Sequence, residues 1–251
     1  MSILPSDISG LALWLKADAL SLNNNDPVAS WTDSSGLAND ATQATGSKQP
    51  LYKTNIVNGK PVVRFDVTDD VLGATLDSSI PTDFTTIIVI WPNTIFNYTI
   101  YLGGQPDPSD DPWTFGPVIH GSGSGTIYAG IDSANRIDTG GGYYTAQAWQ
   151  ILTLRKSGAA SGNLSLWING GNLKQNTGLT SGAPTGDKMY FAPGADVDVA
   201  EIIVYYSALS TLDRQRIEWY LAEKYAISGP TNPDGGSIPV FIHLSGQMRT
   251  S

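Results

Sequence analysis

The 251-residue sequence contains no cysteine, which excludes disulfides, thiolate metal sites and a thiol nucleophile together. Fold stability must then come from packing. Charged residues make up only 15% of the chain, and 14 Lys and Arg stand against 23 Asp and Glu, a formal net charge of −9. A helix bundle needs far more Glu, Lys and Ala, and a nucleic-acid partner needs Lys and Arg to neutralise phosphates. Neither class fits. Histidine is nearly missing too: His120 and His243 have no zinc-type spacing and no triad partners near them in sequence. The longest apolar run, around Ile87 to Trp91, is of strand length and far short of the roughly 20 residues that span a bilayer. No membrane insertion is expected. The N-terminus, MSILPSDISG, has neither the basic region nor the apolar region of a signal peptide.

What the sequence has in quantity is glycine, 27, and proline, 15, with much Thr, Ser and Asn. This is the composition of many short strands joined by tight turns, and the length suits one large all-β domain. Strands are expected at Gly10 to Leu20, Val62 to Asp66, Val71 to Leu76, Phe84 to Trp91, Tyr98 to Leu102, Thr126 to Ile131, Gln150 to Lys156, Leu164 to Asn169 and Val197 to Tyr206. FTTIIVIW at Phe84 to Trp91 reads as a strand buried on both faces. Asn39 to Asn58 lacks periodicity and reads as a long surface connection. QPDPSDDPW at Gln105 to Trp113, HGSGSG at His120 to Gly125 and GGGYY at Gly140 to Tyr144 read as loops, and neither glycine-rich loop has the P-loop pattern. Ser210, with Asp213 three residues later, caps a helix whose stripe is Leu212, Ile217, Tyr220, Leu221 and Tyr225.

Several stretches resemble the laminin-G-like branch of the concanavalin A-like superfamily. They are GLALWLKAD, SWTDSSGLANDATQ, NGKPVVRFD with TDDVL, LSLWINGG, and VAEIIVYYSALSTLDRQRIEWYLAEKY, in the family's order from Leu11 to about Ile227. The resemblance implies an all-β, two-sheet antiparallel jelly-roll sandwich with one C-terminal helix at about 211–227, filling residues 1–228. Residues 229–251 then form a linker and an apolar tail. In that family the modules bind glycans or proteins, sometimes with calcium, more often than they catalyse, and they occur in bacterial surface proteins and in phage virion fibre or decoration proteins.

The one catalytic signal is Asp196, Asp198 and Glu201 in DVDVAE, because the superfamily also contains glucanases with three carboxylates at this spacing. A retaining glycosidase needs two carboxyl groups about 5 to 5.5 Å apart. The family nucleophile is a Glu where this chain has Asp196, and Glu201 also aligns with the acidic residue of the laminin-G-like strand, so a structural role is favoured. A glycan site needs exposed aromatic faces beside Asn, Asp or Gln, and Trp113, Tyr143 and Tyr144 lie in loops of that kind. The other tryptophans, Trp14, Trp31, Trp91, Trp149, Trp167 and Trp219, read as packing residues. Asp107, Asp110 and Asp111, or Asp66, Asp69 and Asp70, are calcium candidates; carboxylates in turns also close Asx-turns.

These readings lead to a non-catalytic module that binds a glycan or protein surface, within a virion or extracellular assembly, with no resident cofactor apart from possible calcium. Ile238, Val240, Phe241, Ile242 and Leu244 are the expected contact for self-assembly or for other virion proteins. The alternatives are a polysaccharide-cleaving glycoside hydrolase and a purely structural capsid or tail protein without a ligand.

Overall fold

The structure is a computed structural model that describes residues 3–94, 99–103, 117–123, 125–143, 145–158, 162–180, 186–192 and 194–235. Among the described residues sixteen strands and one α-helix follow one another. The first six strands are β1 (Leu11–Lys16), β2 (Ser30–Trp31), β3 (Ala41–Thr42), β4 (Leu51–Val57), β5 (Lys60–Phe65) and β6 (Leu72–Thr75). Next come β7 (Phe84–Pro92), β8 (Thr99–Gly103), β9 (Val118–Ser122), β10 (Thr126–Gly130) and β11 (Arg136–Asp138). The last are β12 (Gln150–Ser157), β13 (Asn163–Ile168), β14 (Gly171–Asn176), β15 (Lys188–Phe191) and β16 (Val197–Tyr205), before α1 (Thr211–Tyr225).

The strands form two eight-stranded antiparallel sheets. The first runs β14-β13-β12-β7-β16-β5-β4, with β1 also paired to β16; the second runs β11-β10-β9-β8-β15-β6-β3-β2. Strands β1 and β5 share one side of β16: β5 pairs with Val197 to Val199 and β1 with Glu201 to Tyr205. The expected two-sheet sandwich with one C-terminal helix is therefore what the chain forms.

Alternation builds two apolar layers. Inward residues such as Leu13, Val63, Phe65, Leu72, Ile88, Leu154, Leu166, Phe191 and Val204 fill the space between the sheets. Outward residues of the first sheet, Trp14, Ile87, Val89, Ile151, Ile203 and Tyr205, pack under α1 through Ile217, Leu221 and Tyr225. Each fully buried Leu, Ile or Phe contributes about 1.5–3 kcal/mol relative to exposure, so strand β7, buried from Phe84 to Ile90, anchors both layers. Helix α1 starts where expected, Ser210 Oγ accepting from Asp213 N at 3.1 Å, and ends at Ala226, which is left-handed at φ 55°.

Three readings change. Asn39 to Asn58 is not only a connection, since β3 and β4 lie in it. Strand β4 is an edge strand with a mostly exposed pattern, eBieeeB, so it lacks the apolar alternation that betrays a strand. His120 to Ser122 close strand β9 rather than opening a loop; their small, polar character hid a strand whose pairing with β10 supplies the order. Leu212 is 41% exposed and does not belong to the buried face of α1, which instead takes Arg214, Glu218 and Trp219.

Candidate functional site

The sandwich has one side where its sheet edges meet. Strand β14 ends the first sheet and β11 ends the second. Side chains tie them: Asn176 Nδ2 donates to Arg136 O at 2.9 Å, and Thr180 N donates to Asn135 Oδ1 at 2.5 Å. Asn135 is itself fixed by Asp132, whose Oδ1 accepts from Asn135 N at 2.7 Å. The tight β10–β11 hairpin needs glycine at position 130, because a Cβ there would lie 2.4 Å from Asn135 O.

Tyr143 stands on this rim. Gly140 and Gly142 take positive φ, 71° and 82°, a backbone that glycine adopts without strain. The turn they form brings Tyr143 N to Gly125 O at 2.9 Å, beside the β9–β10 turn. The Tyr143 side chain is 43% exposed, and Lys174 Nζ of β14 lies 5.8 Å from its ring centroid. An exposed ring with a cation over one face leaves its other face for sugar C–H groups or for a protein side chain. Next to it, across β9 to β11, the His120 and Tyr128 rings stack 4.7 Å apart with planes 19° off parallel. The Arg136 guanidinium lies 4.7 Å over Tyr128. His120 is buried, and burial above all, with the nearby Arg136 charge, holds its pKa down at about 4. It is a neutral packing residue at physiological pH.

Of the predicted binding residues, Trp113 and Tyr144 lie outside the described residues, as do Asp107, Asp110, Asp111 and Ile238, Val240, Phe241, Ile242 and Leu244. Lys174, Tyr128 and Arg136 were not singled out from the sequence. Alternation in TIYAG and RID is visible there, but the register that sets Arg136 diagonally beside Tyr128 is fixed by the hairpin turn between them rather than by the alternation.

The three carboxylates of DVDVAE do not converge on an open cleft. Strand β16 carries a bulge at Ala200, where Val199 pairs with Ile90 and Glu201 with Val89. The extra residue sends both Ala200 and Glu201 to the outer face under α1. Glu201 is fully buried there and accepts four hydrogen bonds: Trp14 Nε1 at 2.5 Å, Lys224 Nζ at 2.7 Å, Tyr225 OH at 2.8 Å and Tyr220 OH at 3.3 Å. Burial, then the Glu201 charge, pushes the Tyr220 and Tyr225 hydroxyls far above the usual tyrosine range, so both remain donors. Asp198 is held by Arg64 through two hydrogen bonds of 2.6 and 2.7 Å. Asp196 accepts from Asn93 Nδ2 and Thr94 Oγ1, both at 3.0 Å. Each acid has its own partners on a different element, so the strand serves as a fastener of β1, β5 and α1.

Asp66, Asp69 and Asp70 offer carboxylate oxygens within 4.8 Å of one another. Local backbone donors use them already: Asp66 Oδ1 accepts from Thr68 N at 2.9 Å and Asp70 Oδ2 from Asp66 N at 2.9 Å. Burial, with Asp66 and Asp69 nearby, raises Asp70 to about 6. The arrangement is an acidic turn of the Asx type.

Comparison with solved structures places this geometry. The fold is shared with toxin binding domains. The binding domain of Paraclostridial Mosquitocidal Protein 1 matches with a TM-score of 0.63 at 13% identity, over 88% of this chain and 53% of that one. The Botulinum Neurotoxin Type G receptor binding domain matches with a TM-score of 0.59 at 13% identity, over 85% and 52%. Trypanosoma rangeli sialidase, in complex with sialic acid, matches with a TM-score of 0.60 at 14% identity, over 88% of this chain but 34% of that one. The chain thus spans about half the length of the two toxin domains. No protein-family model and no curated protein matches the sequence.

Proposed function

We propose that this chain is a non-catalytic recognition module of the laminin-G-like kind, which binds a glycan or protein surface through the rim around Tyr143. The observation that carries the reading is the exposed Tyr143 ring beside Lys174, at the side where the two sheet edges meet. Support comes from the carboxylate strand, whose acids are spent on Trp14, Lys224, Tyr225 and Arg64. Two toxin binding domains with the same fold add an analogy at the level of architecture. Trp113 and Tyr144, outside the described residues, are proposed to take part in the same recognition. The module works within a virion or extracellular assembly, and Ile238 to Leu244 supply its contact with a second copy or a neighbouring protein.

A glycan array probed with the intact chain and with Tyr143→Ala tests the rim. Binding that falls about tenfold or more in the variant, a loss of roughly 1.4 kcal/mol, supports it; binding unchanged by Tyr143→Ala, or an empty array together with no protein ligand, rejects it. For the assembly contact, a chain ending at Gly235 should be smaller in solution mass than the oligomer of the full chain. An unaltered oligomer would exclude the tail.

A further inference from the structure

The structure divides the six tryptophans expected to be packing residues. Trp14, Trp31, Trp167 and Trp219 are buried. Trp91 and Trp149 stay half-buried and touch, their ring centroids 5.6 Å apart and their planes 49° off parallel. In β7, Ile88 and Ile90 face the inter-sheet core while Ile87 and Val89 face α1, so by alternation Trp91 projects from the outer face of the first sheet. It stands one outward position beyond Val89, the last β7 residue in the layer under α1, and joins neither apolar layer of the described residues. Trp149, just before β12, leans on the edge of the layer under α1.

Register continues the row across the same face. Trp91 opposes Asp198 of β16, Asp198 opposes Arg64 of β5, and Arg64 opposes Leu51 of β4. Val63, Phe65 and Tyr52 belong to the inter-sheet core, which sets Arg64 and Leu51 outward. Neighbouring strands lie about 4.8 Å apart, so the row from Trp149 to Leu51 is about 19 Å long. It is open to a ligand: the Arg64 side chain is 39% exposed and Leu51 36%. Exposed Gln147 borders the indole pair, its N–H bonded to Pro92 O at 2.8 Å. Asp198 holds the Arg64 guanidinium through Nε and Nη2, which fixes its plane and leaves its other N–H groups for added acceptors.

Charge and polarity select the occupant. Asp198 already neutralises Arg64, Asp196 adds a negative charge nearby, and the chain carries a net −9, so an acidic ligand finds no unpaired cation in the row. An apolar peptide would cover the Arg64 guanidinium without replacing the water on its remaining donors, which costs free energy. A neutral sugar has apolar C–H faces for the indoles and hydroxyl edges for the donors. We propose that Trp149, Trp91, Arg64 and Leu51 form a second binding surface, an open platform for a neutral, extended hexose oligosaccharide. The sugar faces lie on the indoles, and the hydroxyls bond Arg64 and Gln147. The platform uses other residues than the Tyr143 rim and does not depend on it.

The test is nuclear magnetic resonance of the indole N–H groups in the intact chain, titrated separately with cellohexaose, laminarihexaose, mannohexaose and hexagalacturonate. A neutral oligomer should move the Trp91 and Trp149 signals saturably, while Trp31, which is fully buried, stays still. Hexagalacturonate should bind about tenfold more weakly, and Trp91→Ala should weaken the neutral oligomer about tenfold with a native backbone spectrum. Tyr143→Ala should leave this binding unchanged. Silent Trp91 and Trp149 signals in all four titrations, equal binding of the acidic oligomer, or a Trp91→Ala variant that binds as well would overturn the platform. The parent titration decides the matter even if Trp91→Ala does not fold. Broadening of the Trp91 and Trp149 signals with protein concentration alone would give the face to a second copy and overturn it too. Loss of the Trp91 response in Tyr143→Ala would overturn its separation from the rim.

Discussion

Replacing Glu201 by Gln asks directly whether the carboxylate is structural. The side chain is fully buried and takes donors from β1, through Trp14, and from α1, through Tyr220, Lys224 and Tyr225. A glutamine of the same shape keeps one acceptor oxygen but turns an N–H₂ toward groups that are themselves donors. Losing one member of a buried ion pair costs about 3–5 kcal/mol. Lys224 retains Asp18 at 2.9 Å, so the low end applies, about 3 kcal/mol. For a chain of this size 1 kcal/mol shifts Tm by about 2 °C, and the expected drop is therefore about 6 °C. Calorimetry measures it, and Trp14 fluorescence reports the lost indole bond. A Tm within about 1 °C of the parent would refute the fastener reasoning. Loss of β-glucan cleavage in a variant of unchanged Tm would make Glu201 a catalytic residue instead.

Arg64→Ala leaves Asp198, 1% exposed, without its two hydrogen bonds. Because the Arg64 side chain is 39% exposed, water reaches the vacated space, and the cost should be about 3 kcal/mol in urea unfolding, the low end for a broken buried pair. Two groups tilt the pH dependence in opposite senses. His120, lowered from 6.5 to about 4, takes its proton more readily when unfolded, so its contribution is full above about 6.5 and is lost as pH falls toward 4. Asp70, raised from 3.8 to about 6, binds its proton more readily when folded, so stability is fullest below about 3.8 and is lost as pH rises through 6. Each shift is worth ~3 kcal/mol when complete, and they nearly cancel between pH 4 and 6. Asp70→Asn should expose the histidine slope, with stability dropping on acidification, and His120→Phe should expose the opposite slope. Parallel pH profiles for both variants would contradict the assignment.

The long central strands, Val197 to Tyr205 and Phe84 to Trp91, were legible as apolar, β-branched runs of strand length, the mark of strands buried on both faces. The C-terminal helix was legible through its Ser210 cap. Strand β4 was not, since an edge strand exposed along most of its length carries no apolar alternation. Strand β9 was hidden because Gly121 and Ser122 have low strand preference and owe their conformation to cross-strand pairing. The bulge at Ala200, which decides where Glu201 points, depends on the register between β16 and β7 and leaves no local mark. Tyr143 was found from the loop composition around it. Its partner Lys174 came only from the fold, which brings β14 beside a turn residue 31 positions earlier in the sequence.

Backbone chemical-shift mapping with a bound glycan tests the central claim most directly, because it locates contact without presuming chemistry. Shifts gathered at Gly140 to Tyr143 and along β14, with α1 and Glu201 silent, are what the account predicts. Shifts centred on Asp196, Asp198 and Glu201 would contradict it.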